Sequence, residues 1–301
     1  MHNEPKVTIG VCVRNCEHLI EDAIKSIADQ DFPHRLVEII FVDDGSNDQT
    51  LSIIQSYVSK LDVRVRIFRH NWRGLGPTRN VVVANAAGEY IIWVDGDMIL
   101  PRDFVRKQVE FMEGNPEVGI GKGRYGLYPQ ASLAGALENM EFVVATSKLR
   151  VGEKVPPLGT GGSIYRTRAI KEIAGFDDSI RGSGEDMDVE YRLDLSGWKR
   201  DITCAVFYER RRENWKSLWK EYFWHGKGSS RLLGEQNQMI DIRKFWPPFA
   251  FGTEIFRVVM AYRLTSSKVA LLLPLQYVFK RTAWFLGLFQ SYVEKASINN
   301  N

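Results

Sequence analysis

Val37-Glu38-Ile39-Ile40-Phe41-Val42-Asp43-Asp44-Gly45-Ser46 is an apolar, β-branched run that stops on two adjacent carboxylates and a turn sequence. Its length and composition read as a buried strand, Val37 to Val42, broken by the acidic pair. The same grammar recurs on both sides. Upstream, Val7-Thr8-Ile9-Gly10-Val11-Cys12-Val13 is a second such run ending at Asn15, and apolar residues at 19, 20, 23, 24 and 27 have helical spacing between the two. Downstream, Asn47 or Asp48 can cap a helix that continues through Leu51, Ile54 and Val58. Val63 to Phe68 alternates as a third, less buried strand, Thr78 to Ala86 is again helical, and Tyr90-Ile91-Ile92-Trp93-Val94 runs as a fourth strand into Asp95. A β-α-β-α-β-α-β order predicts an α/β fold, a Rossmann-like, mostly parallel sheet with helices on both faces. Ligands of such sheets bind outside the carboxyl ends of the strands. Two of the four predicted strands end there in acidic pairs, Asp43-Asp44 and Asp95-Gly96-Asp97.

Composition narrows the function classes. With 301 residues, 44% hydrophobic and 26% charged, the chain is ordinary globular protein able to bury a core. A net charge of +3 is too small to imply a nucleic-acid partner, so any basic patch must be argued locally, and none is expected to bind nucleic acid. Cys12, Cys16 and Cys204 are odd in number and form no CxxC pair, which argues against a disulfide framework or a zinc site. They read as small buried side chains in a reducing compartment. The polar Met1 to Lys6 stretch passes at once into a strand pattern, so no signal peptide is expected and the cytoplasm is the expected location.

Asp95-Gly96-Asp97 follows apolar residues directly, so both carboxylates emerge at a strand end. The glycine permits a bend that lets one carboxylate reach a metal directly and the other through water. Hard oxygen ligands suit Mg²⁺ or Mn²⁺, which keep several waters and bind phosphate oxygens, and such an ion offsets charge on a departing diphosphate. Asp-Gly-Asp also occurs in surface turns, and position after a buried strand is what favours a metal here. Asp43-Asp44-Gly45-Ser46 has its own plain reading as a strand-to-helix turn. Two carboxylates exceed what a turn needs, and one of them could accept the imide hydrogen of uracil or hydrogen bonds from ribose.

These residues carry a resemblance. Val42-Asp43-Asp44-Gly45-Ser46-Asn47-Asp48-Gln49-Thr50 resembles the VDDGSxDxT signature of family 2 glycosyltransferases, which have the GT-A fold. The first strand with Arg14-Asn15 resembles the family's opening strand and loop, and Asp95-Gly96-Asp97 falls where the family has its DxD metal motif. Gly74 to Asn80 resembles the loop and helix whose Arg approaches the nucleotide, and Gly184-Glu185-Asp186-Met187-Asp188 the later GED-type motif. The match covers residues 5 to 235. It implies inverting transfer from a nucleotide sugar, a UDP-sugar favoured, with Asp186 as general base. It also implies donor nucleotide binding by Val13, Asn15, Asp43, Asp44, Arg79, Asp95 and Gly96, and metal binding by Asp95 and Asp97. An inverting transfer is a direct displacement, so the acceptor hydroxyl needs a proton acceptor within hydrogen-bond reach. Taken without the resemblance, the same acids read as the solvated first turn of a helix.

Leu158-Gly159-Thr160-Gly161-Gly162-Ser163 could face donor sugar or acceptor through its backbone, with Gly161, Gly162 and Glu185 as the candidates; the plain alternative is a flexible loop. Thr167 to Phe176 reads as a short helix with a glycine stop. The basic stretch Arg210-Arg211-Arg212, Lys216, Lys220, Lys227 and Arg231 is diluted by glutamates and reads as a solvated face. Within it, His225-Gly226-Lys227-Gly228 exposes backbone through its glycines, His225 is a candidate third metal ligand, and Lys227 could meet the diphosphate. From Ile255 to Val293 there is no acid, while Arg257, Arg263, Lys268, Lys280 and Arg281 accompany a helical face of Leu275, Val278, Phe279, Phe285, Leu286, Phe289 and Tyr292. No uncharged stretch reaches the roughly 18 residues of a spanning helix. An interfacial helix with its bases on anionic head groups fits, as does a helical hairpin packed on the catalytic domain or a dimer contact.

The expected organisation is a catalytic domain over 1–235 (nucleotide half 1–100, acceptor half 101–235) and a helical extension over 236–301. A lipid-linked or polysaccharide acceptor, handled at the inner face of the cell membrane, would suit such an extension. Two other functions compete. A sugar nucleotidyltransferase would carry a glycine-rich loop after the first strand, and Val13-Arg14-Asn15-Cys16-Glu17 has none. A catalytically silent carbohydrate-binding or scaffolding protein would not need Asp95, Asp97 and Asp186 together.

Overall fold

The computed structural model describes residues 4–153, 155–157, 159–180, 183–235 and 257–299, without the side chains of 229–235 and 295–299. Leu158, the Arg231 side chain and residues 236–256 of the expected extension lie outside the described residues. Strands are β1 (Val7–Val13), β2 (Val37–Asp44), β3 (Arg64–His70), β4 (Tyr90–Trp93), β5 (Met98–Ile99), β6 (Val118–Tyr125), β7 (Ser163–Arg166) and β8 (Lys199–Glu209). Helices are α1 (Ile20–Ala28), α2 (Thr50–Val58), α3 (Leu75–Asn85), α4 (Phe104–Gly114), α5 (Leu133–Ser147), α6 (Thr167–Glu172), α7 (Glu185–Leu195), α8 (Trp215–Glu235), α9 over 257–265 and α10 (Leu273–Asn299). The chain forms two compact units that interleave in sequence: Met1–Gly126, Leu149–Arg181 and Glu185–Glu209 make the first; Leu127–Lys148, Gly182–Gly184 and Arg210–Asn301 make the second.

The first unit is built on one sheet of order β3-β2-β1-β4-β7-β6-β8-β5. β1 to β4 are parallel, β7 runs antiparallel to both β4 and β6, and β6 and β8 are again parallel. Side chains alternate between the two faces. Ile9, Val11, Ile39, Phe41, Ile92 and Val94 share one core with α1 and α4. Cys12, Ile40, Val42, Ile91 and Trp93 share the other with α3, α6 and α7. Both faces are covered, so β1, β2 and β4 are apolar without alternation. β3 lies at the sheet edge, and there alone among these four is alternation visible. Glu38 of β2 is a buried charge that accepts from Thr8 Oγ1 (2.7 Å), Ala87 N (2.8 Å) and Arg66 Nη2 (2.9 Å), which satisfies the burial. Of the cysteines, Cys12 is buried, as expected, whereas Cys16 is half-buried and Cys204 exposed.

The second unit is helical, with Leu137, Met140, Val144, Ala261, Ala270 and Leu273 in its core. α8 crosses α10 closely because Gly226 faces the Trp284 carbonyl and Gly287 faces the Phe223 carbonyl. The glycine of the His225-Gly226-Lys227 segment therefore serves helix packing, and the expectation of exposed backbone there is corrected. The expectation that Lys280 faces lipid is corrected too. Lys280 is 1% exposed, with its ammonium 3.1 Å from Glu138 Oε2 and also paired to Glu141 of α5. Tyr222 of α8 donates to Glu138 Oε1 at 2.7 Å and completes the cluster. The opposite side of α10 differs: Leu275, Leu286, Phe289, Tyr292 and Val293 are exposed, Phe289 by 68%. Among the described residues, no helix is long and apolar enough to cross a membrane.

Candidate active site

The parallel register sets Val13 opposite Asp43 and Gly10 opposite Trp93, so the carboxyl ends of β1, β2 and β4 share one edge of the first unit's sheet. Asp43, the penultimate residue of β2, is fully buried. Its Oδ1 accepts the Ser46 amide at 3.1 Å. Its Oδ2 accepts no hydrogen bond and lies 3.3 Å from Arg69 Nε on β3. Asp44 is differently engaged: Oδ1 accepts from Arg73 N (2.7 Å) and Oδ2 from Gly74 N (3.0 Å), which ties β2 to the start of α3. Asn15 adopts φ 50° after β1; its amide donates to Ser46 Oγ (3.0 Å) and its Oδ1 accepts from Asn47 N (2.9 Å). The loops after β1 and β2 are thereby stitched into one rim. Trp72 stands beside it, 53% exposed, with the Arg14 guanidinium 5.5 Å from its ring centre. Sequence reasoning passed over Trp72; its one signal is an aromatic two residues after β3, at the carboxyl edge of the sheet.

Asp95 follows β4 with its carboxylate 41% exposed. The chain turns at Gly96 and Asp97, closed by Met98 N donating to the Asp95 carbonyl at 3.1 Å; Gly96 keeps a negative φ, and a Cβ there would come within 2.8 Å of Cys16 Sγ. Glycine is needed at this position for contact with the β1 rim, where Val13 also packs. Asp97, half-buried, lies close enough to Cys16 that its charge helps hold that thiol up at about 12, burial being the larger cause. Arg79 of α3 connects the carboxyl edge of the sheet to α7: Nη1 is 2.5 Å from Glu185 Oε1 and Nη2 is 4.0 Å from Asp95 Oδ1. Burial pushes Glu185 up to about 7; Arg79 opposes that rise and the charge of Asp186 adds to it. Asp186, the next residue, accepts from Met187 N at 2.8 Å through Oδ1.

The glycine loop joins these carboxylates. Gly159 has φ 76°, and a Cβ on it would lie 3.2 Å from Asp186 Oδ2. A Cβ on Gly161 would overlap the Asp95 carboxylate. Gly162 donates to the Trp93 carbonyl at 2.9 Å, anchoring the loop to the end of β4. Beneath it lies Lys122 of β6, a residue without a motif around it and overlooked in the sequence; its Nζ donates to the Gly159 carbonyl at 3.3 Å and to the Gly161 carbonyl.

Among the described residues, no group of three His, Cys, Asp or Glu side chains forms a closed metal cage. Two hard carboxylates at a strand end, one of them partly exposed, fit an Mg²⁺ or Mn²⁺ that retains waters and takes phosphate oxygens. His225 and Lys227 belong to α8 in the helical unit, where the His225 ring lies 5.1 Å from Trp224 and Lys227 Nζ is 2.9 Å from Glu294 Oε1.

Comparison with known proteins gives the family and the fold. The family model described as Glycosyl transferase family 2 matches residues 8–173. The poly(ribitol-phosphate) beta-N-acetylglucosaminyltransferase TarS of Staphylococcus aureus is 35% identical over 211 residues, which are 69% of this chain and 36% of TarS. The chain thus spans about a third of the length of that relative. In structure, the mannosyltransferase PcManGT from Pyrobaculum calidifontis in complex with GDP-Man and Mn²⁺ superposes with a TM-score of 0.68 at 17% identity, covering 97% of this chain and 88% of that one. S. aureus TarS 1–349 in complex with UDP superposes with a TM-score of 0.54 at 20% identity, covering 96% and 92%. These likenesses establish the GT-A fold, and the extent of the family match establishes that the chain belongs to glycosyl transferase family 2.

Proposed function

We propose that this family 2 glycosyltransferase moves a sugar, with inversion, from a nucleoside diphosphate sugar to an acceptor hydroxyl, with Mg²⁺ or Mn²⁺ held by Asp95 and Asp97. The observation that carries the reading is one glycine loop bordered by two carboxylates, Asp95 at Gly161 and Asp186 at Gly159. That arrangement suits a donor diphosphate on one side and an acceptor hydroxyl on the other. Asp186 takes the proton of the hydroxyl as its oxygen attacks the anomeric carbon. The diphosphate leaves from the opposite face. The bound metal supplies charge neutralisation for it. Arg79 holds Glu185 and keeps a positive charge near Asp95 throughout.

Asp43 Oδ2, buried and accepting no hydrogen bond, suits the imide N–H of uracil, so a UDP-sugar is the favoured donor. The UDP in the TarS structure and the sugar in the TarS name make UDP-N-acetylglucosamine the first donor to test, with a polymer or lipid-linked hydroxyl as acceptor. The exposed row Leu275, Leu286, Phe289 and Val293 supports a peripheral lipid contact at the cytoplasmic face of a membrane. Leu275→Glu with Phe289→Glu should then abolish sedimentation with anionic vesicles; equal sedimentation would remove the membrane from the reading.

Replacement of Asp186 by Asn keeps shape and removes the proton acceptor. UDP affinity should persist while transfer falls about 10²–10⁴-fold. Transfer at the parental rate would show that the base lies elsewhere.

A further inference from the structure

Lys122 is anomalous for a cation. It is 1% exposed, and among the described residues it has no carboxylate within ion-pair distance; its ammonium meets two carbonyls and the rings of Tyr125 and Phe207 at 5.2 and 5.3 Å. A buried charge so partnered is costly, and an apolar side chain of similar volume would fill the space at less cost. What the ammonium holds is the backbone between Asp95 and Asp186.

The Gly159 peptide is gripped from both sides. Its N–H donates to Glu190 Oε1 at 2.9 Å, and Glu190 is itself braced by Arg200 Nη1 at 2.6 Å. Its carbonyl accepts from Lys122 Nζ and from Ser163 Oγ at 3.0 Å. Three residues on, the Gly162 carbonyl accepts from Gln108 Nε2 (3.0 Å) and Gly123 N (2.9 Å). The loop is therefore trussed at both ends, and Lys122 is the charge that ties its two middle carbonyls, those of Gly159 and Gly161, to β6. A shift of either carbonyl moves backbone that is in contact with Asp186 or Asp95.

We propose that Lys122 is a positioning residue whose ammonium, by holding the Gly159 and Gly161 carbonyls, sets the spacing of Asp95 and Asp186 across the glycine loop. The proposal rests on the reading of Asp186 as base and Asp95 as the donor-side carboxylate. Burial pushes Lys122 down to about 8, against the charges of Glu209 on β8, Glu190 and Asp186 on α7, and Asp95 after β4, all of which raise it. A lowered lysine is protonated below that value and neutral above it, so the strut weakens as pH rises through about 8.

The test compares parent, Lys122→Met and Lys122→Arg by three measurements: amide exchange of the loop peptide, UDP affinity with Mn²⁺, and transfer against pH. Lys122→Met should exchange faster at Gly161–Ser163, bind UDP as the parent does, and lose about a hundredfold in kcat, the scale of a small misplacement of reacting groups. The parent's kcat should fall as pH rises through about 8, that of Lys122→Met should not, and Lys122→Arg should recover part of the rate. Parental exchange and parental kcat in Lys122→Met would overturn the proposal. If no sugar is transferred by the parent, the functional reading fails, and exchange still decides whether Lys122 fixes the loop. Should Lys122→Met not fold, the parent carries the test: loop protection, corrected for intrinsic exchange, must fall as pH passes about 8, and constant protection refutes the strut.

Discussion

Replacing Arg79 by Met should destabilise the protein by an amount that grows with pH. The guanidinium is buried, 2.5 Å from Glu185 Oε1, and the other carboxylate oxygen, Oε2, is buried without a hydrogen bond. Removing one partner of a buried pair costs about 3–5 kcal/mol when the other must stay charged. Glu185 need not stay charged. Already held up at about 7 by burial, it rises further once Arg79 no longer opposes that rise. A carboxyl whose folded pKa exceeds its unfolded one binds more protons in the folded state, so stability falls as pH climbs through the interval between the two. In the parent this loss ends near pH 7. In Arg79→Met it continues to the new, higher value, at about 1.36 kcal/mol for each unit of additional shift. The difference between variant and parent should therefore be small near pH 5.5 and grow to at most about 2.7 kcal/mol near pH 9, two units above the parental value. Urea unfolding followed by tryptophan fluorescence at both pH values measures it. A destabilisation equal at the two would refute the pairing of Arg79 with a titrating Glu185.

Three further outcomes follow from the same geometry. Asp43→Ala removes a buried charged acceptor, worth about 1.5–3 kcal/mol, so UDP affinity by calorimetry should drop roughly 10–150-fold with kcat at saturating donor little altered. Gly161→Ala drives a Cβ into the Asp95 carboxylate, and should weaken Mn²⁺-dependent UDP binding while leaving the melting temperature near the parental value; unchanged metal dependence would clear that contact. Lys280→Met strands Glu138 and Glu141 in the helical core at a cost of about 3–5 kcal/mol, and adding Glu138→Gln with Glu141→Gln should restore most of it in denaturant melts.

The strands that announce themselves in the sequence are those with both faces covered. β1, β2 and β4 show as unbroken apolar runs, and β3 shows as alternation because it lies at an edge. β6 and β8 do not show. Gly119, Gly121 and Gly123 dilute the first, yet a Cβ at Gly121 would come within 2.9 Å of Thr203 and 3.0 Å of Ile164, so these glycines mark tight packing inside a strand. The second opens Lys199-Arg200-Asp201, charges that Arg200 resolves by pairing with Glu190 and Asp194. Local pattern carries no trace of such partners. The acidic strand ends were legible because carboxylates after buried strands have few structural uses. The pairing of Arg79 with Glu185 across 106 positions, and the engagement of Asp44 with Arg73 and Gly74, were not.

Two buried lysines show why burial alone does not distinguish framework from function. Lys280 loses stability by leaving water, but Glu141, Tyr222 and Glu138 hold it well above its ordinary value, so its charge is matched where it lies. A matched cluster of this kind joins α5, α8 and α10 in one arrangement, and nothing in it is left over for a ligand. Lys122 is pushed the other way, because the acids that attract it are at a distance and its close neighbours are carbonyls and rings. Its charge is unmatched inside the fold, and the surplus points at the backbone that separates Asp95 from Asp186. On the proposed reading, the cost of burying that cation beside Asp95 and Asp186 is offset by the backbone it positions.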